Sequence, residues 1–134
     1  MSEPILILVV DDNPAMTETL ADVLEVKGFT VRAAASGAEA LEVLRAQPVD
    51  ILLTDVKMPG MNGLELYREA RKIYPSLVTI FMTAYAADEL IMQGMVEGVR
   101  IVLDKPVDIN FMISLFSAEK RIINDARRTA GTEM

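Results

Sequence analysis

The chain has 134 residues and a net charge of −7, and it contains neither cysteine nor histidine, which excludes disulfides, thiolate metal sites, phosphohistidine and an imidazole base. Its length suits one domain, and its 51% hydrophobic content is enough to form a core. The excess of acidic over basic residues argues against direct binding of nucleic acid. The longest apolar run, 5–10, is too short to span a membrane and follows no basic segment, so a soluble, cytoplasmic protein without membrane association is expected.

Short apolar runs alternate with longer segments of helical periodicity along the chain. The predicted strands are 5–10, 29–33, 50–54, 77–82 and 100–103. Because helix-length segments separate these runs, the connections should be right-handed crossovers between parallel strands. The expected fold class is α/β, a (βα)5 doubly wound parallel five-stranded sheet of order 2-1-3-4-5 with helices on both faces.

Helix boundaries are indicated by capping signals. Helix starts are predicted at Asn13-Pro14, at Ser36 with Glu39, and at Asn62 with Glu65. Gly28 is placed to end the first helix. The fourth helix is indicated by apolar spacing over 87–95, and the fifth is expected from Asp108 to about Arg128. The predicted organisation is one domain over 1–118, followed over 119–134 by an extension of the last helix and a frayed tail.

Five polar residues follow predicted strands: Asp11 and Asp12, then Asp55, Thr83 and Lys105. Ligands of open α/β sheets bind outside the carboxyl ends of the strands, where the strand order reverses. Three carboxylates there would repel one another, so Lys105 and a hard divalent cation such as Mg²⁺ are expected to balance them. A carboxylate beside such an ion can attack a phosphoryl group. Each residue alone has an ordinary structural explanation, but their coincidence at successive strand ends favours a functional site.

Four segments together resemble a known family. They are 9–13 (VVDDN), 53–63 (LTDVKMPGMNG), 82–84 (MTA) and 104–106 (DKP). With their spacing, the sequence resembles the receiver domain of response regulators in bacterial two-component systems, over roughly 5–117. The resemblance implies the flavodoxin-like receiver fold and a phosphorylation switch rather than an enzyme that turns over substrates.

The resemblance also assigns roles to individual residues. Asp55 would be the phosphoacceptor in a Mg²⁺-dependent reaction. The Mg²⁺ ligands would be Asp11, Asp12, Asp55 and the backbone carbonyl of Lys57. The phosphate-binding and switch residues would be Thr83, Ala84 and Lys105, and the bond before Pro106 is expected to be cis. Lys57 and Tyr85 should flank the approach of water to the site. The phosphodonor would be a histidine kinase or a histidine phosphotransfer protein.

The output surface is expected on helix four, strand five and helix five, with homodimerisation there as a possible consequence. Gly94 and Gly98 should make helix four marginal, and Met92 and Val96 should lie on its outer face. An apolar seam on helix five is interpreted as reaching toward a partner (Ile109, Met112, Phe116 and Ile123). Val102 stands where the family usually has Tyr or Phe, so the usual aromatic step of switching is missing.

Three alternatives compete with this hypothesis. A receiver-like interaction module that no longer switches is favoured by Val102 but opposed by the five polar residues. An aspartyl-phosphate phosphohydrolase would carry an Asp-x-Asp motif after the first strand, whereas this chain has Asp11-Asp12-Asn13. A nucleotide-binding domain would need a glycine fingerprint or a P-loop, and the sequence has neither.

Overall fold

Ten elements alternate along the chain in a computed structural model that describes residues 4–84 and 88–132. They are β1 (Leu6–Val10), α1 (Pro14–Val26), β2 (Thr30–Ala34), α2 (Gly37–Ala46), β3 (Ile51–Asp55), α3 (Gly63–Ile73), β4 (Val78–Thr83), α4 (Glu89–Glu97), β5 (Ile101–Asp104) and α5 (Ile109–Thr132). All strand pairs are parallel, and the order is β2-β1-β3-β4-β5. The predicted fold and strand order are therefore confirmed.

The core lies in layers on the two faces of the sheet. Successive residues of β1 point to opposite faces, so Ile7 and Val9 join one apolar cluster while Leu8 and Val10 join another. The first cluster contains buried residues of α1 and α5, and the second contains those of α2 and α3. A third, smaller cluster lies under α3 and α4. The central strands are thus buried on both sides, as a doubly wound sheet requires.

The capping residues read from the sequence begin their helices as predicted. The Asn13 side chain accepts from the amide of Ala15 at 3.1 Å, and the Ser36 hydroxyl accepts from that of Glu39 at 3.1 Å. Asn62 and Glu65 form a reciprocal capping box that starts α3. These caps fix the helix starts that follow the strand ends of β1, β2 and β3.

Helix α4 differs from the prediction at one glycine. Gly98 is not in the helix interior but is its C-cap, with φ of +123°. The expectation that it weakens the helix interior was wrong, because a glycine in this conformation ends a helix without strain. Gly94 is within the helix, and an added Cβ there would lie 2.5 Å from Cε2 of Phe81. Gly94 therefore permits close packing of α4 on β4.

Helix α5 also differs. Met112 and Phe116 are fully buried, and Ile109 and Ile123 pack against the same cluster. The seam interpreted as reaching toward a partner instead covers this chain's own sheet. The helix continues without a break past residue 118 to Thr132, beyond the expected end near Arg128. A division of the chain at residue 118 stays a prediction. Within the described ranges, no helix is both long and apolar enough to cross a bilayer.

The contact of Gly94 with Phe81 predicts that Gly94→Ala destabilises the protein by about 1–3 kcal/mol, as overpacking does. The gain in helix propensity, about 1 kcal/mol, offsets only part of this cost over most of that range. Urea unfolding of the two proteins measures the difference. The control is Gln93→Ala on the exposed side of α4, which should change the free energy of unfolding by less than about 0.5 kcal/mol. A Gly94→Ala variant as stable as the parent would contradict the packing.

Candidate functional site

The five polar residues predicted from strand ends meet at one edge of the sheet. Asp55 is the last residue of β3 and lies beside Met82 of β4, while Thr83 ends β4 beside Asp104 of β5. Asp11 directly follows β1, whose Val10 pairs with Thr54. Parallel register therefore brings the strand ends to the same level. Lys105 follows β5, and its amide donates to the Thr83 carbonyl at 2.8 Å.

Three carboxylates form the acidic part of the site. Asp11, Asp12 and Asp55 each offer an oxygen, and these atoms all lie within 4.8 Å of one another. Asp11 and Asp55 are buried, whereas Asp12 is exposed. The Oδ1 atom of Asp11 accepts from the amide of Asn13, and Oδ1 of Asp55 accepts from that of Val56, each at 2.9 Å. One oxygen of each buried carboxylate is thereby fixed by the backbone.

The second oxygens of the buried carboxylates face Lys105. Its Nζ lies 2.7 Å from Oδ2 of Asp11 and 3.2 Å from Oδ2 of Asp55. Burial alone lowers the pKa of Lys105, but its hydrogen bond to Asp11 and the negative charges of Asp55 and Asp11 outweigh this and raise it. The lysine is therefore held as a cation between two carboxylates. The Lys105–Pro106 bond is cis, as expected.

Asp55 is the carboxylate with the least favourable surroundings for its charge. Burial raises its pKa, the positive charge of Lys105 lowers it, and the negative charge of Asp11 raises it again, for a net increase. Lys105 therefore does not fully offset the cost of burying the Asp55 charge, and one lysine faces a cluster of three carboxylates. The site is suited to a further cation, and the all-oxygen donor set is the kind that binds hard divalent ions.

The remaining predicted residues have different positions. Thr83 is buried at the end of β4, and Ala84 beside it is exposed. Val102 is partly buried and packs against the third cluster, where it acts as a core aliphatic residue. Tyr85 lies outside the described residues, so its flanking role stays a prediction.

Lys57 has a partner that the sequence did not reveal. Its Nζ lies 2.7 Å from Oδ2 of Asp88, the N-cap of α4. Asp88 before an apolar helical stripe is a recognisable cap signal, but no local pattern connects it with the loop after β3. The structure therefore adds Asp88 to the surroundings of the site.

The protein has a parallel (βα)5 sheet, and an acidic site suited to binding a cation lies at the carboxyl ends of its strands. These two features define its class. The sequence matches the family described as "Response regulator receiver domain" over residues 7–117. The chain belongs to this family.

Individual relatives agree with this assignment. A response regulator receiver protein of Anaeromyxobacter sp. (strain Fw109-5) is 41% identical over 81% of this chain and 45% of its own length. The DNA-binding transcriptional regulator NtrC of Escherichia coli (strain K12) is 34% identical over 82% of this chain and 24% of its own length. This chain thus spans less than half the length of these two relatives.

A solved structure shows the same architecture. The crystal structure of a response regulator receiver domain protein (CheY-like) from Methanospirillum hungatei JF-1 superposes with a TM-score of 0.84. Its sequence is 28% identical, and the match covers 89% of this chain and 95% of that one. The fold and the family assignment therefore agree.

The raised pKa of Asp55 predicts that Asp55→Asn stabilises the metal-free protein at pH 7. Above the folded-state pKa, the buried charge costs stability in full. That cost disappears as the pH falls through the folded-state pKa toward the ordinary value of 3.8, and the benefit of the amide should disappear with it. Unfolding in urea with EDTA, from pH 7 to pH 4, measures this. Asp22→Asn, at an exposed position of α1, is the control. A destabilised Asp55→Asn protein at pH 7 would contradict the charge balance described above.

Proposed function

We propose that this receiver domain is a phosphorylation switch in which Asp55 accepts a phosphoryl group. The observation that supports this most directly is the position of Asp55, a buried carboxylate 3.2 Å from Lys105 in a cluster with Asp11 and Asp12. Since these 134 residues include no histidine, the phosphohistidine of the donor must lie outside them. The donor is a histidine kinase or a histidine phosphotransfer protein, and the exchange takes place in the cytoplasm.

The residues around Asp55 fit Mg²⁺. The donors would be carboxylate oxygens of Asp11, Asp12 and Asp55 together with the backbone carbonyl of Lys57. All of these donors are oxygen atoms. The three carboxylates carry more negative charge than the single positive charge of Lys105 can balance. A bound ion would neutralise part of the negative charge on the phosphoryl oxygens.

The chain's own residues perform the transfer. An Asp55 carboxylate oxygen attacks the phosphorus of phosphohistidine, and the O–P bond forms as the P–N bond breaks. The electron pair of the broken P–N bond stays on the imidazole nitrogen of the donor, which takes up a proton from water. Lys105 contacts a phosphoryl oxygen, and the Thr83 hydroxyl and the Ala84 amide donate to the others.

The product is an acyl phosphate on a domain that otherwise keeps its fold. Its charge differs from that of the free carboxylate, and this difference is what the rest of the domain can respond to. The output surface is the face of α4, β5 and α5. Large apolar side chains are exposed there on the two helices (Met92, Met95, Val96 and Phe111). They are suited to contact with a second copy of the chain.

Incubation with acetyl phosphate and Mg²⁺ should add one phosphoryl group to the protein, and Asp55→Asn should abolish the addition. Intact-protein mass spectrometry measures the product, and omission of Mg²⁺ should greatly reduce it. Glu18→Gln, an exposed carboxylate of α1, serves as the control and should be phosphorylated like the parent. Full labelling of the Asp55→Asn protein would exclude this residue as the acceptor.

Phosphorylation should also increase self-association through the exposed face of α4 and α5. Sedimentation velocity with and without beryllofluoride, a phosphoryl mimic, measures this. Met92→Gln with Val96→Gln should prevent the increase without preventing the mimic from binding. An identical sedimentation coefficient in both states of the parent protein would exclude dimerisation as the output.

A further inference from the structure

An ion pair joins the loop after the phosphoacceptor to helix α4. Lys57, two residues after Asp55, places its Nζ 2.7 Å from Oδ2 of Asp88. The Lys57 side chain is 55% exposed, whereas that of Asp88 is only 16% exposed. The hydrogen bond from Lys57 and that from the Leu90 amide lower the pKa of Asp88, so its carboxylate is charged at neutral pH.

The two carboxylate oxygens of Asp88 make different contacts. Oδ1 accepts from the amide of Leu90 at 2.8 Å and so caps α4, while Oδ2 binds Lys57. The start of α4 is therefore connected to the loop that carries a predicted metal ligand, the carbonyl of Lys57. Because a single side chain makes both contacts, a change at Lys57 acts directly on the first turn of the helix.

The other end of α4 is attached to α3 much more firmly. Arg68 donates from Nε and Nη2 to the two oxygens of Glu97, at 2.9 and 2.6 Å. The Tyr67 hydroxyl and Nη1 of Arg71 donate to the Glu97 carbonyl, at 2.8 and 3.1 Å. Between the ends, Ile91 and Gly94 are the buried residues of α4. Among the contacts of the described residues, the helix is thus anchored more firmly at its C-terminal end than at its N-terminal end.

Phosphorylation changes the charge that Lys57 experiences. Three carboxylates, Lys105 and a divalent ion balance one another in the unphosphorylated site. An acyl phosphate on Asp55 replaces a single negative charge by about −1.5 to −2, which leaves the site negative. This excess arises two residues from Lys57, whose long and largely exposed side chain can turn toward it.

We infer that the Lys57–Asp88 pair is an electrostatic latch, which holds the N-terminal end of α4 in the unphosphorylated protein and opens when the phosphoryl group attracts Lys57. This inference rests on the proposed function, because it needs an anion on Asp55. Opening would let α4 pivot about Glu97 and would change how Met92 and Val96 are presented. Through the latch, phosphorylation of Asp55 would affect helix α4 without any change at position 102.

Asp88→Asn tests the latch in the full chain. Asparagine caps helices as well as aspartate does, so this variant removes the charge and keeps the cap. Because the phosphoryl mimic no longer competes with Asp88 for Lys57, beryllofluoride with Mg²⁺ should bind about two- to fivefold more tightly, the range expected for an exposed ion pair. Calorimetric titration measures the affinity, and amide exchange by mass spectrometry measures α4. In the parent protein, exchange in the first turn of α4 should rise when beryllofluoride binds; in Asp88→Asn it should be high from the start.

Two further variants separate the latch from a general loss of charge. Lys57→Gln should also raise exchange in α4, but it should not tighten binding, since the cation that the phosphoryl mimic attracts is gone. Asp125→Asn removes the acidic partner of Arg128, an exposed ion pair of α5, and should behave like the parent protein in both measurements.

The outcomes distinguish the latch from the function on which it rests. If the parent protein binds beryllofluoride but Asp88→Asn shows the parent's affinity and the parent's exchange in α4, the latch is wrong and the phosphoacceptor role stands. If the parent protein binds no more beryllofluoride than Asp55→Asn does, the proposed function fails and the latch fails with it.

Discussion

The pairing of Lys105 with Asp11 and Asp55 determines how the rest of the site is built. Two buried carboxylates at the edge of a sheet would repel each other strongly without a cation between them. The strand order places β4 between β5, which precedes Lys105, and β3, which ends at Asp55. The lysine must therefore extend past the end of β4. The residues at that end, Thr83 and Ala84, are small.

The sheet provides rigidity at this edge, and the helices differ in how firmly they are attached to it. The strand β3 is buried along its whole length, so Asp55 stands at the end of a well-packed strand. Helix α3 buries five residues, among them Leu64, Leu66 and Tyr67, whereas α4 buries Ile91 and Gly94. A change of charge at a rigid site is expressed where the least packing must be disturbed. Of these two helices, α4 has less packing to disturb and is the one through which the proposed switch would act.

Much of the fold and the site could be predicted because the signals are local. Apolar runs marked the strands, Asn13, Ser36 and Asn62 marked helix starts, and strand-end positions brought the polar residues together. Other features depend on which surfaces meet. The periodicity of α5 shows that Phe116 belongs to an apolar face but not whether that face covers this chain's sheet or a partner. Similarly, no local pattern connects Lys57 with Asp88, because the two lie on different elements.

Val102 bears on how the proposed switch would differ from one that uses an aromatic residue at this position. A tyrosine has an apolar ring and a polar tip, so it can exchange a buried position for a hydrogen-bonded one. Valine has neither, and here it packs with the third cluster. That cluster also contains Val56, the neighbour of Asp55, and Ile91 of α4. A displacement of the backbone at Val56 therefore acts on the packing of α4 directly. In the proposed switch, the coupling between Asp55 and α4 would depend on packing below α4 and on charge at its first turn.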